Sequence, residues 1–178
     1  DANHDGSSDS KNFTIDKAIS TTTVSIAAGP FIYTGSAIEP ATVSVTGAGG
    51  LNETPAAAYV NNINVGTATA SYTYAGDANH YGSNDSEDFA IGKASTTTTV
   101  VATNATYDGN QHGATASVTG DGGLSESLSV TYEGVAPTVY ASSAVAPVNA
   151  GTYKASASYS GDANHDGSSD SKNFTIDK

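Results

Sequence analysis

The chain has 178 residues, which allows one or two domains of ordinary size. It contains no Cys, which excludes disulfides, thiolate metal sites and cysteine nucleophiles. With 6 Lys, no Arg and 18 acidic residues, the formal net charge is −12, which argues against nucleic acid as a partner and favours a cation. No stretch reaches the roughly 20 apolar residues of a membrane span, so no direct membrane insertion is expected.

A repeat organises the sequence. The segment DANHDGSSDSKNFTIDK at 1–17 recurs unchanged at 162–178, and the variant DANHYGSNDSEDFAIGK occupies 77–93. Three copies of one ending predict three module ends. We therefore expect one module at 18–93, a second at 94–178, and in residues 1–17 the terminal strand and turn of a preceding module.

Apolar and small polar residues alternate along several segments of both modules, and this period of two predicts half-buried β-strands. The expected inward-facing residues are Val24, Ile26, Val43, Val45, Ala68, Ala70, Tyr72, Tyr74, Tyr153, Ala155, Ala157, Tyr159, Phe174 and Ile176. Gly, Asn, Asp and Ser interrupt these segments every several residues, as in a sandwich of short antiparallel strands. Tyr74 and Tyr159 precede turns, and we expect their hydroxyls to donate to the backbone, as in a tyrosine corner.

An ordered set of short segments carries a family resemblance. These are TYDG at 106–109, ATASVTGDGGL at 114–124, NAGTY at 149–153, YSGDANH at 159–165 and a closing FTIDK strand. The chain resembles the bacterial immunoglobulin-like repeats of the MBG and YDG type over both modules and the N-terminal tail. The first module departs from the pattern, with YTG for YDG and NVGTA for NAGTY.

The resemblance implies an all-β fold class of tandem immunoglobulin-like β-sandwich modules. It also implies a large secreted or surface-anchored bacterial protein, often an adhesin, in which such repeats act as spacers or binding modules. The implied location is therefore extracellular, at the bacterial cell surface. The implied partners are neighbouring repeats of the same protein, with homotypic assembly as a further option.

The acidic segment that ends each module could begin a calcium loop, in which oxygen ligands fall at positions 1, 3, 5, 7, 9 and 12 and Gly at 6. The candidate metal ligands are Asp162, Asn164, Asp166 and Asp170 in the last copy, and Asp1, Asn3, Asp5 and Asp9 in the first. The twelfth position is Asn173, which cannot supply the bidentate carboxylate of a Glu. In the middle copy Tyr81 replaces the third acid.

An Asx turn between the last two strands is the favoured alternative for this segment. In such a turn Asp and Asn side chains accept hydrogen bonds from nearby backbone N–H groups. Calcium stays open at the copies that keep Asp5 and Asp166. His4, His80 and His165 follow the Asn of the turn without a second His at ligand spacing, and we expect them to be rim residues that pack on the neighbouring module.

Three functions from different classes remain open. The first is a structural repeat of an adhesin stalk or fibre, and the second is a subunit of an extracellular filament assembled by strand addition through residues 1–17. The third is a glycan-binding or protein-binding module. The sequence has no G-x-S-x-G elbow and no convergent acid–base pair, so we do not expect an enzyme.

Overall fold

The computed structural model describes residues 2–178. Fourteen strands form within this range, with two 3₁₀ turns at Ala48–Gly50 and Asp121–Gly123. The first seven strands are β1 (Ser20–Ile26), β2 (Phe31–Ile32), β3 (Ala41–Gly47), β4 (Asn52–Glu53), β5 (Ala58–Val60), β6 (Gly66–Tyr74) and β7 (Ser83–Gly92). The next seven are β8 (Thr96–Val101), β9 (Ala105–Thr106), β10 (Thr115–Gly120), β11 (Leu124–Ser127), β12 (Thr131–Gly134), β13 (Gly151–Tyr159) and β14 (Ser168–Asp177).

The strands form four sheets, and the strand order of the first two sheets recurs in the other two. The orders are β1-β3-β4 and β2-β7-β6-β5 in the first half, and β8-β10-β11 and β9-β14-β13-β12 in the second. Most of the strand pairs are antiparallel, while β2 with β7 and β9 with β14 are parallel. The predicted all-β class is therefore confirmed, and the several sheets are consistent with a β-sandwich.

The chain divides into two compact units. The first comprises the described part of Asp1–Ile26 together with Ala41–Ala58 and Ala70–Glu87, and the second comprises Ala27–Pro40, Tyr59–Thr69 and Asp88–Lys178. Strands β6 and β7 contribute residues to both. The modules expected at 18–93 and 94–178 stay a prediction about domain organisation.

The second unit has a well-defined apolar core, formed where β8 and β10 face β12, β13 and β14. Its buried members are Val100, Ala116, Tyr132, Tyr153, Ala155, Ala157, Phe174 and Ile176. Tyr153 lies directly opposite Phe174 in the β13–β14 register, and their ring centroids are 5.7 Å apart. Burial of alternate residues along β13 agrees with the period of two in its sequence.

The first unit buries a smaller set of side chains. Val24 of β1 and Val43 and Val45 of β3 are 4% exposed or less, and Ala70 is fully buried. The hydroxyl groups of Ser20 and Thr22 occupy the neighbouring inward positions of β1 and are also buried. Because small residues supply most of this interior, it gains less from apolar burial than the second unit.

Residues 5–17 have no regular secondary structure, although they share the sequence that forms β14. Phe13 is 84% exposed and Ile15 is 87% exposed, whereas their counterparts Phe174 and Ile176 are each 2% exposed. One sequence therefore has two structures in one chain, because only the C-terminal copy has a sheet to join.

Candidate functional site

The Asp-Ala-Asn-His segment between β13 and β14 forms an Asx turn. Oδ1 of Asp162 accepts hydrogen bonds from the backbone N–H groups of Asn164 and His165, each at 2.7 Å. Gly161 before it has a φ of +84°, and a Cβ there would lie 2.7 Å from the carbonyl oxygen of His165. Only glycine fits such a position. Asp77 makes the same two hydrogen bonds in the middle copy, so the predicted turn is confirmed in both.

The His165 ring is held between two acceptors. Its Nδ1 lies 2.9 Å from Oδ1 of Asp162, and its Nε2 lies 2.8 Å from the carbonyl oxygen of Asp121. A neutral imidazole has one donor and one acceptor nitrogen, so only the imidazolium can donate to both partners. The Asp121 carbonyl and then the Asp162 carboxylate raise the pKa of His165 above its ordinary 6.5. In turn, the hydrogen bond from His165 lowers the pKa of Asp162 well below its usual range.

His80 repeats this arrangement. Nδ1 lies 2.9 Å from Oδ2 of Asp77, and Nε2 lies 2.8 Å from the carbonyl oxygen of Ala48. The Asp77 carboxylate and then the Ala48 carbonyl raise the pKa of His80, and the hydrogen bond from His80 lowers that of Asp77. The Asp and His three positions apart were visible in the sequence, but the backbone carbonyl that completes each site comes from a distant 3₁₀ turn.

The tyrosines before the two turns differ from the expected tyrosine corner. The Tyr159 hydroxyl donates to Oδ2 of Asp162 at 3.0 Å, and the Tyr74 hydroxyl donates to Oδ2 of Asp77 at 3.0 Å. The prediction that these hydroxyls bond to the backbone was therefore wrong. The physical reason is that each Asp carboxylate lies within reach of the ring, and a charged acceptor forms a stronger hydrogen bond than a neutral carbonyl.

Asp170, one of the candidate calcium ligands, holds a neighbouring strand. Its Oδ2 accepts a hydrogen bond from the backbone N–H of Val100 at 2.8 Å. The Ser168 hydroxyl lies 2.7 Å from both Thr96 Oγ1 and Thr98 Oγ1. The first half has the same three contacts, made by Asp85 with Val24 and by Ser83 with Ser20 and Thr22.

The other candidate ligands have varied positions. Oδ1 of Asn164 accepts a hydrogen bond from the backbone N–H of Val65 at 3.1 Å. Asp166 is exposed, and its backbone N–H donates to the carbonyl of Ala94 at 2.9 Å. Three more candidates, which are exposed, lie in the N-terminal segment at Asn3, Asp5 and Asp9. Asp1 lies outside the described residues.

Over residues 2–178 the structure contains no group of three or more His, Cys, Asp or Glu side chains that could hold a metal ion. The carboxylates of Asp162 and Asp170 instead accept hydrogen bonds from separate protein donors. Calcium binding by these residues stays the untested alternative.

The short connection before β8 is bound to the turn. The Lys93 ammonium donates to the carbonyl of Asp162, and the N–H of Ala94 donates to the carbonyl of Asn164 at 3.0 Å. The N–H of Asp166 donates back to the carbonyl of Ala94 at 2.9 Å. At the other copy Lys17 and Ala18 make the equivalent hydrogen bonds, to Asp77 and Asn79.

Residues from the first half of the sequence cover the turn at 162–165. The Tyr33 ring meets the His165 ring edge to face, with centroids 5.2 Å apart and planes at 84°. The Asn164 amide donates to Oδ1 of Asn64 at 3.2 Å, beside the hydrogen bond from Val65. His165 therefore packs on Tyr33, a residue of the segment in which we expect the first module, and packing on a neighbouring module stays a prediction.

No protein-family model matches the chain, and no curated protein sequence matches it. The part of the chain that the structure describes includes no helix long and apolar enough to cross a membrane.

Proposed function

We propose that residues 18–178 are two tandem immunoglobulin-like modules that serve as structural repeats of a long bacterial surface protein, such as an adhesin stalk or fibre. The recurrence of one strand order in both halves supports this proposal. So does the recurrence of the hydrogen bonds around Asp77 and Asp162 and around Asp85 and Asp170. We propose no catalytic activity for this segment.

One observation carries the structural role. The connection at Lys93 and Ala94 is a hydrogen-bonded part of the fold, because both residues bond to the turn at 162–166. A Gly-rich or Ser-rich tether would instead be a flexible coil without such bonds. A connection fixed in this way suits a segment that has to hold another domain at a distance from a surface.

Antibodies against the chain test the location. We expect them to label intact bacterial cells that express the full-length protein, and brief protease treatment of those cells to remove the label. Labelling that requires permeabilised cells would overturn the surface assignment. Electron micrographs of the native protein should show isolated thin projections, whereas laterally joined fibres would favour a filament.

Assembly by strand addition is the second candidate function, and the exposure of Phe13 and Ile15 favours it. Residues 1–17 have the same sequence as residues 162–178, which include β14. They could therefore pair with β13 of another molecule in the position that β14 occupies. Such an exchange would bury two large apolar side chains that the single chain leaves in water.

Light scattering of the whole chain and of a chain lacking residues 1–17 tests strand addition. If it operates, the whole chain forms larger species as its concentration rises, and the shortened chain stays at the mass of a single molecule. A synthetic peptide of residues 1–17 should then limit the size of the assemblies. Equal scattering from both chains at every concentration would rule this function out.

A further inference from the structure

The contact over His165 brings two glycines together. A Cβ on Gly35 would lie 2.6 Å from Cα of Gly122, and a Cβ on Gly122 would lie 2.6 Å from Cε1 of Tyr33. These distances are too short for any side chain, so this contact needs glycine at both positions. The Asn164 amide donates to Oδ1 of Asn64 across the same contact. These contacts define one joint with two faces: a loop face formed by Tyr33, Gly35 and Asn64, and a turn face formed by Gly122, Asn164 and His165.

The loop face of this joint has a counterpart near the C-terminus. Tyr33, Gly35 and Asn64 align with Tyr107, Gly109 and Asn149 in the two related segments. The N–H of Tyr107 donates to the carbonyl of Asp177 at 2.8 Å, just as the N–H of Tyr33 donates to Gly92 at 2.9 Å. The loop is therefore held in the same way at both places.

This second loop face is open to solvent. Gly109 has a φ of +81°, close to the +79° of Gly35, yet apart from its own chain neighbours no described residue lies within 4 Å of where its Cβ would be. Tyr107 is 52% exposed.

The turn face also has a counterpart, near the N-terminus. Gly49 aligns with Gly122 and has a φ of +69°, again with no described residue other than its chain neighbours within 4 Å of its Cβ position. The rings of His80 and His165 are each held by one carboxylate and one backbone carbonyl. Asn79 is exposed, whereas Asn164 is half-buried beneath residues 64 and 65.

We propose that the surface formed by Gly49, Asn79 and His80 is a docking site for a second copy of this chain, which presents Tyr107 and Asn149. Tyr107 takes the place of Tyr33 on the histidine ring, and Asn149 bonds to the Asn79 amide. The inference rests on the proposed function, because it needs modules that follow one another.

Charge is compatible with this docking. At the internal joint, the residues preceding the two contacting glycines are Thr34 and Asp121; at the proposed joint they are Asp108 and Ala48. Each joint therefore has one carboxylate at this point and avoids a pair of like charges. The Lys17 ammonium donates to the carbonyl of Asp77, and at the internal joint the Lys93 ammonium donates in the same way to the carbonyl of Asp162.

A fused chain tests the proposal. Because residues 162–178 repeat residues 1–17, residues 18–178 can follow Lys178 directly, and the first copy then supplies the tail of the second. Reaction with a tyrosine-nitrating reagent should divide the Tyr107 sites into two equal populations. Half should react as slowly as Tyr33, and half as fast as Tyr107 of the single chain. One fast population for all Tyr107 sites would overturn the proposal.

The NMR signals of the histidine rings give a second measurement. We expect Tyr107→Leu in the first copy to shift the ring protons of His80 in the second copy, through loss of the aromatic ring current. Tyr33→Leu is the matched control at the internal joint and should shift His165. Tyr107→Leu in the single chain should leave His80 unchanged. A His80 signal that ignores Tyr107→Leu in the fused chain would refute the docking site.

The proposed surface location and the proposed docking site can be refuted independently of each other. Antibody labelling of intact cells reports the location of the protein and does not depend on the joint. Nitration and NMR report the joint and do not depend on location.

Discussion

Asp162 and His165 form an ion pair in which Nδ1 lies 2.9 Å from Oδ1, while the other ring nitrogen donates to a backbone carbonyl. The same pair recurs as Asp77 and His80. Each pair links the end of one strand to a 3₁₀ turn in another sheet, so its charge state bears directly on the stability of the loop.

The two ion pairs predict a pH range of greatest stability. Because folding raises the histidine pKa, stabilisation by His80 and His165 is complete below their ordinary 6.5 and is lost as the pH rises through the folded value. Because folding lowers the Asp77 and Asp162 pKa, their contribution is complete above 3.8 and is lost as the pH falls. We expect the melting temperature to be highest between these limits and to decline above pH 6.5.

Thermal melts of a variant with His80→Gln and His165→Gln check the assignment. Its melting temperature should no longer decline between pH 6.5 and the raised histidine pKa values. His4→Gln is the matched control, since His4 has the same sequence neighbours and is exposed. A decline that persists in the double variant would show that other groups cause it.

Asp170→Ala should destabilise the second half of the chain. The substitution leaves the backbone N–H of Val100 without its acceptor in a part-buried position, which costs about 1–3 kcal/mol. Asp9→Ala removes the identical residue from the exposed N-terminal copy and should change the free energy of unfolding by less than about 0.5 kcal/mol. Denaturant unfolding measures both, and equal effects would contradict the role of the Val100 hydrogen bond.

The strand faces could be predicted from the sequence, because a period of two follows directly from the pleat. Tyr153, Ala155 and Ala157 are buried as expected. The turn was also predictable, since Asp and Asn bond locally to their own backbone.

Other features depend on contacts distant in sequence. The carbonyl of Asp121 meets His165 across 44 positions, and Asp170 reaches Val100 across 70. Local sequence cannot decide such pairings. Residues 5–17 show this most directly, because their sequence forms β14 only where β13 is available.

Thermal melts with calcium and with a chelator should coincide. Asp162 and Asp170 already accept hydrogen bonds from different protein groups, so an ion would compete with those contacts for the carboxylate oxygens. A ligand that binds only the folded state raises the melting temperature with its concentration. Such a rise with calcium, and its loss in Asp166→Asn, would show that the calcium loop is the correct interpretation.

Phe174→Ala and Phe13→Ala compare one substitution in two settings of the same sequence. Phe174 is 2% exposed, and its truncation should cost about 3–5 kcal/mol in the free energy of unfolding. Phe13 is 84% exposed, and its truncation should change that free energy by less than about 0.5 kcal/mol. Denaturant unfolding at low protein concentration measures both, and a large effect of Phe13→Ala there would contradict the exposed state of the N-terminal segment.

Raising the protein concentration extends this comparison to strand addition. If residues 1–17 of one molecule can replace β14 in another, intact Phe13 should fill the space left by Phe174→Ala. The loss of stability in Phe174→Ala should then shrink as concentration rises, because association stabilises by mass action. Adding Phe13→Ala to the same chain should abolish that recovery. A loss that is independent of concentration would show that β14 stays with its own sheet.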